Sequence, residues 1–402
     1  MTRGTTLVSR GCLMPFCDFI GNAETVQRLR EMLARDHFPP AVILAGARGS
    51  GKYTLALMLA RAMNCLERPN NNSAATGVSG GFAFDAPAPD VPVANELPDF
   101  CGHCSNCTRI AQALDLEARV TEAVEARENL RETDKKETRI FVQPHPDMLV
   151  IPPDPPQMMI KVDQVRHVIQ SIYYRPAEAR ESVYVFTSSA FNKEAANSLL
   201  KILEEPPHFA TIFLLTENAG ELLPTIRSRS MIFTLGALPA AEIEAHMVKL
   251  RPDWNPRQRA LVARLSEGAV GRALSFDLEN YVAARGHALI VLKTALGSGD
   301  HSELFKTTET YRPGADGREK IESLLRTLYL LLEDLMCLQS GAGKLVRNTD
   351  ILGELQKMAE AADFAWVQKA AEGLAEVERG LRRNLLRSLS LDAFATALER
   401  GA

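Results

Sequence analysis

One short stretch limits this chain more than any other. Gly46-Ala47-Arg48-Gly49-Ser50-Gly51-Lys52 lies between the apolar run 41–45 and a segment that reads as a helix from Lys52 to about Asn64. In that strand–loop–helix setting the G-x-x-x-x-G-K pattern is a phosphate loop. Glycines let backbone N–H groups turn inward around phosphate oxygens. The helix N-terminus adds partial positive charge, and Lys52 reaches the terminal phosphates. Gly46, Gly49, Ser50, Gly51 and Lys52 are therefore candidate nucleotide contacts.

The surrounding pattern alternates strand and helix. Expected strands are 41–45, 148–151, 183–186, 211–215 and 231–233. Expected helices are 18–36, 52–64, 162–173 and 193–203, the last ended by Pro206-Pro207. Such alternation implies an α/β fold, with a parallel sheet covered on both faces. After Pro239 apolar residues recur at helical spacing to the end. The expected division is an α/β domain over 1–236, a small helical domain over 237–285 and an all-α domain over 286–402. Residues 67–100 are rich in Asn, Ser, Gly and Pro and read as a flexible insertion. Residues 117–140 are dense in charge and read as a solvated helical one.

With 402 residues, 46% of them apolar, the chain can bury a sizeable core, and a net charge of −4 argues against a generally basic nucleic-acid-coating protein. No apolar run is long enough to span a membrane, and the first 16 residues lack the apolar core of a signal peptide, so a cytoplasmic location is expected. The first 13 residues read as an extension, with Met14 as an alternative start.

Of seven cysteines, Cys101, Cys104 and Cys107 form a C-x2-C-x2-C run, and Cys65 at the end of the phosphate-loop helix can supply a fourth thiolate. Four converging thiolates suit tetrahedral zinc with no open position, hence a structural site. An iron–sulfur cluster, His103 in place of Cys65, or plain buried thiols are the alternatives.

Two parts of a hydrolytic site are missing. The residue after Lys52 should be a Ser or Thr that ligates magnesium; here it is Tyr53. The third expected strand should end in an acid; here it runs into Thr187-Ser188-Ser189, whose hydroxyls are poor bases and weak magnesium anchors. Asp147 and Asp154 are the only acids read as nearby, and neither follows a strand of the right kind. On the loop 222–230, Arg227 and Arg229 read either as surface ion-pair residues or as arginines aimed into a neighbouring subunit's site. Arg379, Arg382, Arg383 and Arg387 read as a solvated helix face or, less simply, as a DNA contact.

In order, the chain carries Phe19-Ile20-Gly21-Asn22, the phosphate loop, the cysteine run and His145-Pro146-Asp147. Then come Leu199-Leu200-Lys201-Ile202-Leu203-Glu204-Glu205-Pro206-Pro207 and Leu223-Pro224-Thr225-Ile226-Arg227-Ser228-Arg229-Ser230. This set, over about 18–235, resembles the AAA+ clamp-loader subunits of bacterial DNA polymerase III. Gly268-Ala269-Val270-Gly271-Arg272 and the tail from Leu381 through Asn384 to Ala397 extend the likeness. The resemblance implies a RecA-like AAA+ domain with an inserted zinc module, a helical lid and a helical collar. It implies work in a five-subunit ring, with gamma/tau and delta partners, that opens a sliding clamp and closes it around primer–template DNA. Ile20, Gly21, Thr216 and Arg272 match nucleotide contacts, the last two as sensors. Cys65, Cys101, Cys104 and Cys107 match the zinc ligands. Arg229 matches an arginine finger acting in trans, with Ser230 where the motif has cysteine. Hydrolysing gamma/tau subunits carry Asp-Glu at the positions of Thr187-Ser188 and Ser or Thr at that of Tyr53. Both departures point to a non-hydrolysing stator, an active gamma/tau-like ATPase being the alternative.

Overall fold

The computed structural model describes residues 15–35, 38–67, 97–311, 317–383 and 385–401. Most of the expected insertion at 67–100, Met14 with the N-terminal extension, and Asn384 lie outside the described residues.

Six strands form one sheet: β1 (Ala41–Ala45), β2 (Val142–His145), β3 (Met148–Ile151), β4 (Ser182–Phe186), β5 (Ala210–Thr216) and β6 (Met231–Thr234), in the order β2-β3-β4-β5-β1-β6. Every neighbouring pair is parallel except β2–β3. All five expected strands are present, and β2 is the one the periodicity missed. It is four residues long and holds Pro144, which cannot donate to a ladder; with a single neighbour at the sheet's edge the lost N–H costs little.

Alternate side chains of the central strands feed two cores, as a period of two requires. Val42, Leu44, Val183, Val185, Phe213 and Leu215 face one core; Ala41, Ile43, Tyr184, Phe186, Ile212 and Leu214 face the other. The first core is closed by α1 (Ala23–Ala34) and α2 (Lys52–Asn64). Helix α1 begins five residues later than the sequence suggested. Phe16–Asp18 makes a separate 3-10 turn, and Gly21 and Asn22 adopt left-handed backbone at φ 75° and 51°, which interrupts a helix. Helix α2 is buried at every residue from Leu55 to Asn64.

Between α2 and β2 the chain inserts α3 (Ser105–Ala111), α4 (Leu116–Glu128) and α5 (Glu132–Glu137). Helix α4 buries none of its residues. It is anchored by Arg127, whose guanidinium meets the fully buried Asp154 at 2.7 Å; Lys161 meets the same carboxylate at 2.8 Å. The second core is closed by α6 (Val162–Ile172) and α7 (Lys193–Glu204), with the short α8 (Pro224–Arg227) beside them. Asn192 caps α7 by accepting from the Ala195 N–H at 2.7 Å.

The chain divides into two compact units, 1–238 with 269–271, and 239–268 with 272–402. Among the described residues the second unit holds helices and no strand. It starts with α9 (Ala240–Leu250) and α10 (Pro256–Leu265), takes in α11 (Val270–Leu274) from Arg272 onward, and continues with α12 (Leu278–Ala295). Then follow α13 (His301–Glu309), α14 (Gly317–Gln339), α15 (Leu352–Ala361), α16 (Phe364–Arg382) and α17 (Arg387–Gly401). Helix α12 runs unbroken through residue 285. A leucine-rich core along α14, including Leu328, Leu331 and Leu335, packs with Trp366 and Leu374 of α16. No helix among the described residues is long and apolar enough to cross a membrane.

Candidate functional site

The phosphate loop rises from the carboxyl end of β1, between β5 and β6. The Gly46 N–H donates to the Thr216 carbonyl at 3.2 Å and the Leu235 N–H to the Ala45 carbonyl at 2.8 Å, fixing both flanks of the loop. Gly46 has no room for a side chain: a Cβ there would sit 2.7 Å from the Leu235 carbonyl oxygen. Gly51, at φ 89°, lies against the Phe19 ring, so the Phe19-Ile20-Gly21-Asn22 segment is brought alongside the loop. Ser50 Oγ is buried with no hydrogen-bond partner among the described residues, a donor that suits a phosphate oxygen. The Lys52 ammonium donates to the carbonyls of Gly46 and, at 2.8 Å, Ala47. Burial lowers its pKa, and the Glu217 carboxylate pulls it back up. Glu217 corrects the sequence reading, which named only Asp147 and Asp154 as nearby acids. It follows the last residue of β5 and is exposed, with no hydrophobic pattern to mark it.

Tyr53, where magnesium-binding chains carry a hydroxyl, turns away from the loop. Its ring packs against the first core and its O–H donates to the Ala113 carbonyl at 2.7 Å, just past α3. At the carboxyl end of β4, Ser188 Oγ accepts from the Ala190 N–H at 3.1 Å, and Ser189 Oγ donates to Glu221 at 2.5 Å. Thr216, 3% exposed, spends its hydroxyl on the Asn218 carbonyl at 2.8 Å while its backbone holds Gly46. Arg272 belongs to the helical unit and pairs there with Glu267.

The four cysteines converge. The Sγ atoms of Cys65, Cys101, Cys104 and Cys107 all lie within 4.8 Å of one another. A zinc–sulfur bond of about 2.3 Å in a tetrahedron sets its sulfurs ~3.8 Å apart, so one ion suits the set; an iron–sulfur cube would hold its ligands farther apart. His103 turns aside to Glu67 at 3.4 Å. Backbone N–H groups already aim at sulfur: Cys101 donates to Cys65 Sγ at 3.2 Å and Cys104 to Cys101 Sγ at 3.3 Å. Burial pushes the Cys104 thiol up, but the N–H groups of Cys107 and Leu66 together with the thiols of Cys107 and Cys101 outweigh it and hold the pKa down at about 7.

The His145-Pro146-Asp147 motif ties this cysteine module to the sheet. Asn106, between two of the cysteines, donates to the Asn64 carbonyl at 3.0 Å, which leaves its Oδ1 to accept from His145 Nε2 at 3.1 Å. The other ring nitrogen accepts the Asp147 N–H at 3.1 Å. Both nitrogens of the neutral ring are thus satisfied, and burial holds the His145 pKa down although Asp147 favours the charged form. Asp147 itself accepts from the N–H groups of Ala177, Glu178 and Ala179 at 2.6–2.8 Å; these hold its pKa low against the effect of burial. Neither Asp147 nor Asp154 is therefore free to serve magnesium: one caps a loop, the other holds Arg127.

Arg229 follows α8 on a half-exposed loop. Its guanidinium donates to the Thr225 carbonyl at 3.1 Å and meets Glu204, at the end of α7, at 3.0 Å. Ser230 turns inward and donates to the Ile226 carbonyl at 2.9 Å.

Residues 91–239 match the family model described as DNA polymerase III, delta subunit. The chain is 30% identical over 271 residues to the DNA polymerase III subunit delta′ of Yersinia pestis, covering 64% of this chain and 76% of that one. Against subunit delta′ of Bacillus subtilis it is 22% identical over 358 residues, 89% of this chain and 90% of the relative. Against subunit tau of Escherichia coli it is 25% identical over 300 residues; that match takes in 73% of this chain but spans only 37% of tau.

Proposed function

The chain belongs to the family of DNA polymerase III clamp-loader subunits, and from that footing we propose that it is the delta-prime type. In this reading it is a stator that keeps a phosphate loop, hydrolyses no ATP of its own and lends Arg229 to the ATP of a neighbouring gamma/tau subunit.

The observation that carries this reading is where Tyr53 goes. Its hydroxyl is bonded to Ala113, so the position that should hold magnesium instead fastens the phosphate-loop helix to the cysteine module. The carboxyl end of β4 offers hydroxyls where a magnesium-anchoring acid belongs. Nucleotide can still be gripped by the Lys52 ammonium, the Ser50 hydroxyl and the loop's N–H groups, with Ile20, Gly21, Thr216 and Arg272 as the further contacts proposed.

Arg229 can serve a neighbour because little holds it. An exposed pair such as Arg229–Glu204 contributes at most about 1 kcal/mol. The guanidinium can therefore exchange Glu204 for the charge that develops on a transferred phosphate. Cys65, Cys101, Cys104 and Cys107 would hold zinc, which when bound supplies folding stability rather than chemistry. The helical unit is proposed to divide into a lid, 237–285, and a collar, 286–402, through which the subunit joins its ring. The wider partners proposed are delta, the sliding clamp and primer–template DNA, in the cytoplasm.

The test has two arms. The purified chain should release no phosphate from ATP; turnover abolished by Lys52→Ala would replace the stator with an active ATPase. In a complex reconstituted with gamma/tau, delta, clamp and primed DNA, Arg229→Ala should assemble normally. It should lower turnover at the site it serves by roughly a thousandfold or more. An unchanged rate removes Arg229 from the mechanism.

A further inference from the structure

Arg61 has no business being where it is unless something negative lies beside it. It sits in α2, 2% exposed, among the largest fully buried side chains of the protein. Its guanidinium lies over the Phe100 ring, 5.3 Å from the centroid. Among the described residues it pairs with no carboxylate, and its Nε has no hydrogen-bond acceptor. An arginine cannot escape this by losing its proton, and a buried charge without a partner is strongly unfavourable.

The cysteine site lies close by in the fold. Arg61 is one helical turn before Cys65, the residue that caps α2 at its C-terminus. Phe100, which it covers, immediately precedes Cys101, and Cys107 lies within electrostatic reach of the guanidinium. Four thiolates around one divalent cation sum to two negative charges, in a site where little water remains to screen them.

We propose that Arg61 is the counter-charge of a divalent-metal tetrathiolate formed by Cys65, Cys101, Cys104 and Cys107. The inference rests on the reading of the four cysteines as a metal centre and goes beyond it by assigning a role to a residue that is not a ligand. Two buried features that are each unfavourable alone, an excess of negative charge on sulfur and an orphan guanidinium, become favourable together. The buried aromatic face of Phe100 completes the arrangement by contacting the cation. Arg61 is a positioning residue: it sets how tightly the ion is held, not which atoms hold it.

The experiment uses the full chain, loaded with zinc or with cobalt, and a chelator competition read by released metal and by the visible bands of thiolate-bound cobalt. Arg61→Met keeps bulk and removes charge; Arg61→Lys keeps the charge. Loss of an outer partner of this kind typically weakens metal binding 10- to 100-fold. Arg61→Met is expected to release both ions at correspondingly lower chelator concentration, and Arg61→Lys to recover most of the loss. Should Arg61→Met fail to fold, Arg61→Gln carries the same comparison at similar length. The proposal is overturned by a folded neutral variant that holds metal as the parent does. It is equally overturned if Arg61→Lys is as weak as the neutral variants, since packing would then be the whole effect. A parent chain that takes up neither ion removes the centre itself, and the Cys104→Ser chain, tested beside it, shows whether uptake came from these cysteines.

Discussion

Replacing Tyr53 by Phe removes one oxygen atom and tests what that side chain is for. The ring keeps its place in the first core, while the Ala113 carbonyl loses its 2.7 Å donor. Ala113 is fully buried, so water does not easily replace the bond. A net hydrogen bond contributes about 1 kcal/mol, and an orphaned buried carbonyl adds to that, giving a loss of about 1–2 kcal/mol. This corresponds to roughly a 5- to 30-fold shift in the local opening equilibrium. Both tryptophans, Trp254 and Trp366, lie in the helical unit and would miss the effect, so amide hydrogen exchange is the suitable assay. Amides of α3 and the first turns of α2 should exchange faster by that factor, while α12–α17 keep their protection. Tyr53→Thr restores the expected hydroxyl but deletes the half-buried ring, costing less than the roughly 3–5 kcal/mol of a fully buried aromatic deletion. It should still produce no ATP turnover, because β4 itself runs into Thr187-Ser188-Ser189 and supplies no acid. Exchange in α3 that is unchanged by Tyr53→Phe would refute the view that this position has been converted from magnesium ligand to structural tie.

Cys104→Ser should lower metal content, measured by atomic absorption, below one ion per chain, and metal content that stays at one sinks the ligand assignment. His145 is held below its ordinary 6.5 by burial, so the stability it contributes as a neutral ring is complete above that pH and is lost as pH falls through it. Urea midpoints should therefore decline on acidification below about pH 6.5, and His145→Gln should flatten that limb; a pH profile unchanged by that substitution would show that the ring titrates alike in the folded and unfolded chains, against the effect of its burial. Asp147, held low by three N–H groups, adds a second loss only at pH values under 3.8. Asp154→Ala leaves Arg127 and Lys161 without their shared carboxylate, at a cost of about 3 kcal/mol. Limited proteolysis within α4 and α5 should quicken markedly, and unaltered cleavage would mean that the insertion is held some other way.

The central strands and the helices that follow them were legible because their apolar residues repeat at the periods that the sheet and helix impose. The phosphate loop was legible for a related reason: backbone that must wrap phosphate leaves few residue choices, and glycine at Gly46 and Gly51 is one of them. Strand β2 was not, since an edge strand of four residues with a proline carries no period. Glu217 was missed because proximity to Lys52 is a matter of β5 lying beside β1, which no local pattern records. The His-Pro-Asp motif was visible as letters, but its purpose required Asn64, Asn106 and the amides of 177–179, contributed from three separate parts of the chain.

The sequence alone determined the α/β frame, the phosphate-loop pattern, the Cys101-Cys104-Cys107 run and the absence of the expected residue types at Tyr53 and Thr187-Ser188. All of these are set by residue type and short-range spacing. Only the tertiary structure decided what took the place of what was missing. Tyr53 bonds to a carbonyl sixty residues away, Asp147 and Asp154 are consumed by loop capping and by Arg127, and Arg61 is closed in over the Phe100 ring. Partners at such separations are chosen by packing of the sheet and its insertions, so the chemistry of each side chain is fixed by its neighbours in space rather than in sequence.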